Sequence, residues 1–394
     1  MGGSTPTRLS ETLVNAALSK SPSQGFTHTF YKYPARFSPE FARAAIHAFT
    51  QPGDVILDPF MGSGTTLVEA LVAGRHAIGA DISSLAYFLT QVKTTLLTPE
   101  DCDAIWNWAN NIQPRLKLRQ SAIPINDKIY EGYQREVPWW IKKTMALVLR
   151  ELDQLPKLEQ RKLVRCALLR TGQWALDCTK KIPSASEFRM KFFEILQECF
   201  RGLREMREAL KNSLDVIPQV VCLNIPAAEL DPTLWENRIQ RKPNLILTSP
   251  PYPSVHVVYH RWQIKSRKET SVPFWIAGEL DGHGEAYYTM GSRTPTGLNN
   301  YFRSIEDSFS HLHMMLAEDA FVVQLLAFSA IEEQLPRYLV AMECAGFREY
   351  DLVSECDGVP GRVWRQVPSR RWYATYKGNT SSSREVLLVH RRIS

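Results

Sequence analysis

Two short clusters of residues in this chain suit chemistry better than packing. The first is Asp58-Pro59-Phe60-Met61-Gly62-Ser63-Gly64-Thr65-Thr66, placed between the apolar runs Val55-Ile56-Leu57 and Leu67-Val68-Glu69-Ala70-Leu71. The pattern predicts a strand, a tight glycine turn and a helix. Glycines at 62 and 64 let the backbone approach a ligand with no Cβ in the way. The helix start at Thr65 offers unpaired N–H groups and a positive dipole end. By itself a Gly-x-Gly reads as a plain tight turn. The second cluster is Leu245-Ile246-Leu247-Thr248-Ser249-Pro250-Pro251-Tyr252. There the Ser249 hydroxyl and a Pro250 carbonyl held rigidly by proline are hydrogen-bond acceptors at a strand end, and Tyr252 offers a flat face for stacking. A diproline-tyrosine by itself is a rigid turn.

These clusters need an open α/β sheet to hold them, because such sheets present ligands at the carboxyl ends of their strands. Strand Val55–Leu57, helix Thr65–Ala73 and strand His76–Ala80 form a βαβ unit, so the sheet is parallel at its heart. A helix from Pro39 to Phe49 precedes it, with Ser38 as N-cap and Pro39 at the first helical position. The first ~25 residues read as a loose arm or short helix. Long helical patterns at Lys157–Lys180 and Glu187–Ser213 make residues 99–216 an inserted helical subdomain. Strand signals return at Gln219–Leu223, Asn244–Leu247, Ala320–Ala327 and Glu385–His390, with a helix near Asn300–Met315; residues 253–299 and 355–384 read as irregular loops. Three regions follow: 1–98 with the arm and first motif, 99–216 as the insertion, and 217–394 with the second motif.

The two motifs, in this order and each at a strand end, resemble those of the S-adenosylmethionine-dependent DNA amino-methyltransferases, of the kind with a Ser-Pro-Pro-Tyr tetrad. The resemblance implies a seven-stranded Rossmann-like methyltransferase sheet, with S-adenosylmethionine as cofactor. It implies a cofactor site formed by Phe37, Asp58, Pro59, Phe60, Gly62, Gly64, Thr65, Asp81, Ile82 and Asn224. Asp58 is suited to the cofactor's ammonium and Asp81 to two ribose hydroxyls, as an acidic residue serves in dinucleotide folds. Ile82 is placed to pack on the adenine and Asn224 to make a polar contact with it. Phe37, in the upstream run Phe30–Pro39, either covers the cofactor or serves as a hydrophobic staple at a helix start. No Gly-x-x-x-x-Gly-Lys-Ser/Thr run occurs, which disfavours a nucleotide hydrolase.

The catalytic residues implied are Ser249, Pro250, Pro251 and Tyr252. An exocyclic amine is a poor nucleophile because its lone pair is delocalised into the ring. Acceptors aimed at its N–H groups pull the nitrogen toward tetrahedral geometry, and holding them in advance lowers the cost of reorganisation. In this family Ser at the first tetrad position goes with N4-cytosine methylation, and Asp or Asn with N6-adenine. A base in a duplex must flip out to reach such a pocket. No Pro-Cys dipeptide is present for C5-cytosine chemistry. Adenine N6, an RNA substrate and a non-catalytic nucleic-acid-binding module stay as alternatives.

Basic residues interleaved with aromatics between 355 and 384 suit phosphate contact and base stacking. Arg362, Arg365, Arg370, Arg371 and Lys377 are the candidates there, and Arg293 in a Gly/Ser/Thr-rich loop is another. DNA, double-stranded, is the partner implied, together with a cognate restriction enzyme. The net charge of +6 permits a polyanion without requiring one. At 44% hydrophobic and 22% charged, the 394 residues have the composition of a soluble globular chain. No apolar run approaches the ~20 residues of a membrane span. The run Met1–Pro6 has neither a secretory nor a myristoylation pattern. Seven scattered cysteines without a Cys-x-x-Cys pair indicate reduced thiols, a cytoplasmic setting and no metal site.

Overall fold

The computed structural model describes residues 6–19, 25–33, 37–116, 128–211, 218–253, 261–265, 268–282, 290–292, 294–351, 362–366 and 384–393. The strands are β1 (Val55–Asp58), β2 (His76–Ala80), β3 (Val220–Leu223), β4 (Leu245–Thr248), β5 (Trp262–Ile264), β6 (Lys268–Thr270), β7 (Phe321–Leu326), β8 (Phe347–Glu349), β9 (Val363–Gln366) and β10 (Arg384–Arg392). The main sheet runs β3-β2-β1-β4-β7-β10-β8, with β9 also pairing to β10. Neighbours from β3 to β7 are parallel, and β10 is antiparallel to β7, β8 and β9. The seven-stranded expectation holds along that path, and β9 is an eighth strand.

The reason lies in the strands themselves. β1 and β4 are buried at every residue, as expected of short apolar runs covered by helices on both faces. One face packs against helices Pro295–Met315 and Ile331–Cys344 through Leu57, Ile246 and Val322. The other packs against helix Pro39–Phe49 and its neighbours through Ile56, Leu247 and Val323. Ser38 caps that helix by accepting from the Phe41 N–H at 3.1 Å, with Pro39 following it.

The described residues between 99 and 211 are largely helical, including Leu158–Leu176 and Ala185–Lys211. They do not stand apart from the rest. Their apolar faces share one core with helix Ser84–Thr94, with Phe30 and Tyr31, and with Trp262 and Phe274. The last two lie in a stretch expected to be irregular, where the structure has the β5–β6 hairpin and helix Val272–Ala277. The Trp262 indole N–H donates to the buried Tyr31 hydroxyl at 2.8 Å, fastening this hairpin to the segment ahead of the first motif. β9 likewise corrects the irregular reading of 355–384. The three-residue β8 is too short to show alternation.

Candidate active site

Strand order places the two motifs side by side. β1 lies between β2 and β4, and the chain leaves β1 toward β2 but reaches β4 only later, so their carboxyl ends flank a switch point of the sheet. Asp58, Asp81, Asn224 and Ser249 all follow or end strands along this edge. The two motifs touch directly. The Thr248 hydroxyl donates to Asp58 Oδ1 at 2.7 Å, the Thr66 hydroxyl donates to Oδ2 at 2.6 Å, and the Phe60 N–H reaches Oδ1 at 3.2 Å. Asp58 is 2% exposed, and burial pushes its carboxyl up to about 6 despite these donors. The carboxylate read as a partner for an ammonium is thus engaged by protein donors on both oxygens, and ties the first motif to the second.

The glycine turn takes the shape its residues suggest. Gly62 and Gly64 have φ of 49° and 75°, values that favour glycine. A Cβ on Gly64 would lie 2.6 Å from Thr90 Cγ2. The Gly62 N–H donates to Asp81 Oδ2 at 2.9 Å and the Ser83 N–H to Oδ1 at 2.8 Å. Burial raises the Asp81 carboxyl to about 6, while the residue keeps an open rim. Asn224 donates through Nδ2 to the Asp81 carbonyl at 2.8 Å and is exposed. Ile82 is half-buried beside it, Phe60 is half-buried, and Pro59 and Thr65 are buried. Phe37 sits in the core at 5% exposure, edge-on to Phe41 with ring centroids 5.5 Å apart.

These residues fit S-adenosylmethionine. The Ser63 hydroxyl, inside the turn, is buried with no partner among the described residues, and a buried polar group without a partner is costly unless a ligand supplies one. Asp81 keeps acceptor capacity beyond its two backbone bonds. The helix start at Thr65 adds N–H donors for a carboxylate.

At the second motif, the Ser249 hydroxyl donates to the Leu325 carbonyl of β7 at 3.0 Å. Its single proton is used there, so the oxygen's lone pairs remain as acceptors. The Tyr252 hydroxyl lies 3.5 Å from Ser249 Oγ and donates to Glu385 Oε1 at 2.6 Å. Burial, and then the Glu385 charge, hold the Tyr252 phenol well above its ordinary value, so it stays a donor. The Tyr301 hydroxyl donates to the Pro251 carbonyl at 2.9 Å, and Pro250 is buried.

Two basic candidates for phosphate contact are engaged elsewhere. Arg362 makes a bidentate pair with Glu349 at 2.7 and 2.8 Å. Arg365 is 8% exposed and paired with Glu385 at 2.7 Å. The run of alternating arginines and aromatics suggested surface, but β9 turns Arg365 inward. Arg293, Arg370, Arg371 and Lys377 lie outside the described residues. Among the described residues no group of three or more His, Cys, Asp or Glu could hold a metal.

Several site residues carried no signal of their own. Lys93, fully buried, donates to the Ser63 carbonyl at 2.9 Å, and the Thr90 hydroxyl donates to the Gly62 carbonyl at 3.1 Å. Tyr33 lays its ring against Gly62, where an added Cβ would stand 3.4 Å from Cε1. The one trace that Thr90 and Lys93 leave in the sequence is polarity within an otherwise apolar helical stretch. Glu385, at the start of an apolar strand, is the same kind of trace.

Residues 12–91 match the N6_N4_Mtase family model, described as DNA methylase. The chain is 37% identical over 76 residues to the Type II methyltransferase M.MjaII of Methanocaldococcus jannaschii, covering 19% of this chain and 14% of that one. It is 33% identical over 151 residues to the Type II methyltransferase M.BsoBI of Geobacillus stearothermophilus, covering 33% and 30%. It is also 45% identical over 51 residues to a tRNA (guanine(10)-N2)-dimethyltransferase of Methanothermobacter thermautotrophicus, covering 13% and 15%. The chain therefore spans less than a third of the length of these relatives. Over residues 12–91 the chain is thus similar to the N6/N4 amino-methyltransferase family, whose methyl donor is S-adenosylmethionine.

Proposed function

We propose that this protein methylates the exocyclic amine of a nucleobase in DNA, with cytosine N4 as the target. The observation that carries this reading is the Thr248–Asp58 bond, which holds the Ser249–Tyr252 tetrad against the glycine turn. S-adenosylmethionine supplies an electrophilic methyl group when bound. The chain supplies the rest. Asp81, the backbone of Gly62–Gly64 and the helix start at Thr65 bind the donor. Ser249, its proton spent on Leu325, accepts from the amine N–H together with the Pro250 carbonyl, and so frees the nitrogen lone pair. Tyr252 stacks the flipped base. Ser at the head of the tetrad supports cytosine over adenine.

A second reading, the same chemistry on RNA, is favoured by the stretch shared with the tRNA guanine-N2 enzyme. Both share the acceptor geometry, since all three bases expose a ring-conjugated amine. The test is methyl transfer from labelled S-adenosylmethionine to genomic DNA and to total RNA, followed by nucleoside mass spectrometry. N4-methylcytosine in DNA, abolished by Tyr252→Ala, is the expected product. N6-methyladenine would overturn the inference from Ser249, and product in RNA alone would replace the substrate.

A further inference from the structure

β10 is the antiparallel strand of the sheet, and that reversal brings its first residues to the carboxyl edge of β4 and β7. Val386 pairs with Leu326 at the end of β7, so Glu385 stands just past that end, beside the tetrad. β9 pairs on the outer side of β10, with Arg365 directly across from Glu385. The two side chains form a pair buried on both sides, at 8% and 7% exposure and 2.7 Å. Arg365 also donates to the Ala17 carbonyl near the end of helix Pro6–Leu18 at 3.3 Å. One carboxylate oxygen is thus held by a guanidinium, and the other accepts from the Tyr252 hydroxyl at 2.6 Å.

We propose that Glu385, oriented by Arg365, is a positioning residue for base methylation: it fixes the Tyr252 ring against the target base and enriches its π face. The proposal rests on the methyltransferase reading above. A buried ion pair is a poor source of stability, because desolvation offsets the attraction, so its place beside the tetrad calls for another use. A phenol donating to a carboxylate carries more electron density on its ring. The attacking amine becomes positively charged as its lone pair forms the new N–C bond and the donor's C–S bond breaks, and an electron-rich face favours a cation above it. The contribution therefore grows toward the transition state and appears in kcat.

The experiment uses the full chain with labelled S-adenosylmethionine and genomic DNA, reading kcat, the KM for DNA and calorimetric affinity for S-adenosylmethionine. Removing Glu385 alone strands Arg365 without a counter-charge, so both are replaced together as Glu385→Met with Arg365→Met. The expected result is a roughly tenfold lower kcat, the size of one lost charge-assisted hydrogen bond, with cofactor affinity unchanged. Tyr252→Phe should lower kcat by a similar factor, and adding it to the paired replacement should lower kcat no further, since both remove one interaction. Glu385→Gln with Arg365→Met restores a neutral acceptor and should recover part of the loss. Losses that multiply, or a fall in cofactor affinity in step with kcat, would overturn the proposal and leave the pair a structural tie. Wild-type protein that binds S-adenosylmethionine yet methylates neither DNA nor RNA would defeat the methyltransferase reading instead, and the proposal with it.

Discussion

Thr248 and Asp58 stand 190 positions apart and are joined by a 2.7 Å hydrogen bond from a threonine hydroxyl to a carboxylate, both groups buried. Thr248 directly precedes Ser249, and Asp58 directly precedes the glycine turn. The bond therefore sets the distance between the two motifs, the proposed donor and base sites. Thr248→Val keeps the shape and removes the donor. Leaving a buried carboxylate oxygen short of a partner costs about 1–3 kcal/mol, so thermal unfolding should move to lower temperature. Methyl transfer should fall by more than cofactor affinity, because the base site is the half displaced. Equal losses in both would show that Thr248 only stabilises the fold.

Asp58 and Asp81 both have folded-state values raised by burial from 3.8 to about 6. The folded chain thus holds these protons to higher pH than the unfolded chain does. Their contribution to stability is full below about pH 4 and is lost as pH rises through about 6. Cofactor affinity has the opposite slope, because Asp81 accepts from hydroxyls best when ionised. Calorimetry should find S-adenosylmethionine binding tighter at pH 7 than at pH 5, and Asp81→Asn should flatten that dependence. An unchanged slope in the variant would exclude Asp81 as its source.

Gly64→Ala places a Cβ 2.6 Å from Thr90 Cγ2 at a φ of 75°. The left-handed backbone alone costs a side chain about 1–2 kcal/mol, and the clash adds to it. A lower melting temperature and weaker cofactor binding are expected. Thr90→Ala in the same chain should relieve the clash but not the backbone strain, so recovery should be partial. Full recovery would assign the whole cost to Thr90.

Lys93 lies fully buried beneath the turn, with its ammonium on the Ser63 carbonyl at 2.9 Å. Lys93→Met keeps the stem and removes the donor and charge. Cofactor affinity should fall by roughly tenfold, the scale of a lost charged hydrogen bond, with the KM for DNA unchanged. A change confined to DNA would place Lys93 with the base site instead.

Arg362 already satisfies Glu349 and is only partly exposed. Arg362→Ala should cost no more than about 1 kcal/mol, as a partly exposed pair, and should leave the salt dependence of DNA binding unchanged. A slope shallower by about one unit would show that Arg362 does neutralise a phosphate.

Local pattern was enough to read the elements that hold the site. Val55–Leu57 with Gly62 and Gly64 dictates a strand and a left-handed turn, because apolar runs bury and glycine alone tolerates that φ cheaply. Ser38-Pro39 sets a helix start through one hydroxyl and one missing N–H. Pro250-Pro251 stiffens its turn by ring closure. Each depends on neighbours within a few positions. Tertiary structure decided which side chains those turns meet. Asp58, read as a ligand for an ammonium, also accepts from Thr66 and Thr248. Arg365, read as surface charge, is turned inward by β9 onto Glu385, and Glu385 reaches Tyr252 because β10 runs backward in the sheet. Lys93 and Thr90 support the glycine turn from a helix where their polarity is the one trace in the sequence. Strand order and direction are set by long-range packing, and a hydrogen bond between residues 190 positions apart exists only once that packing is complete.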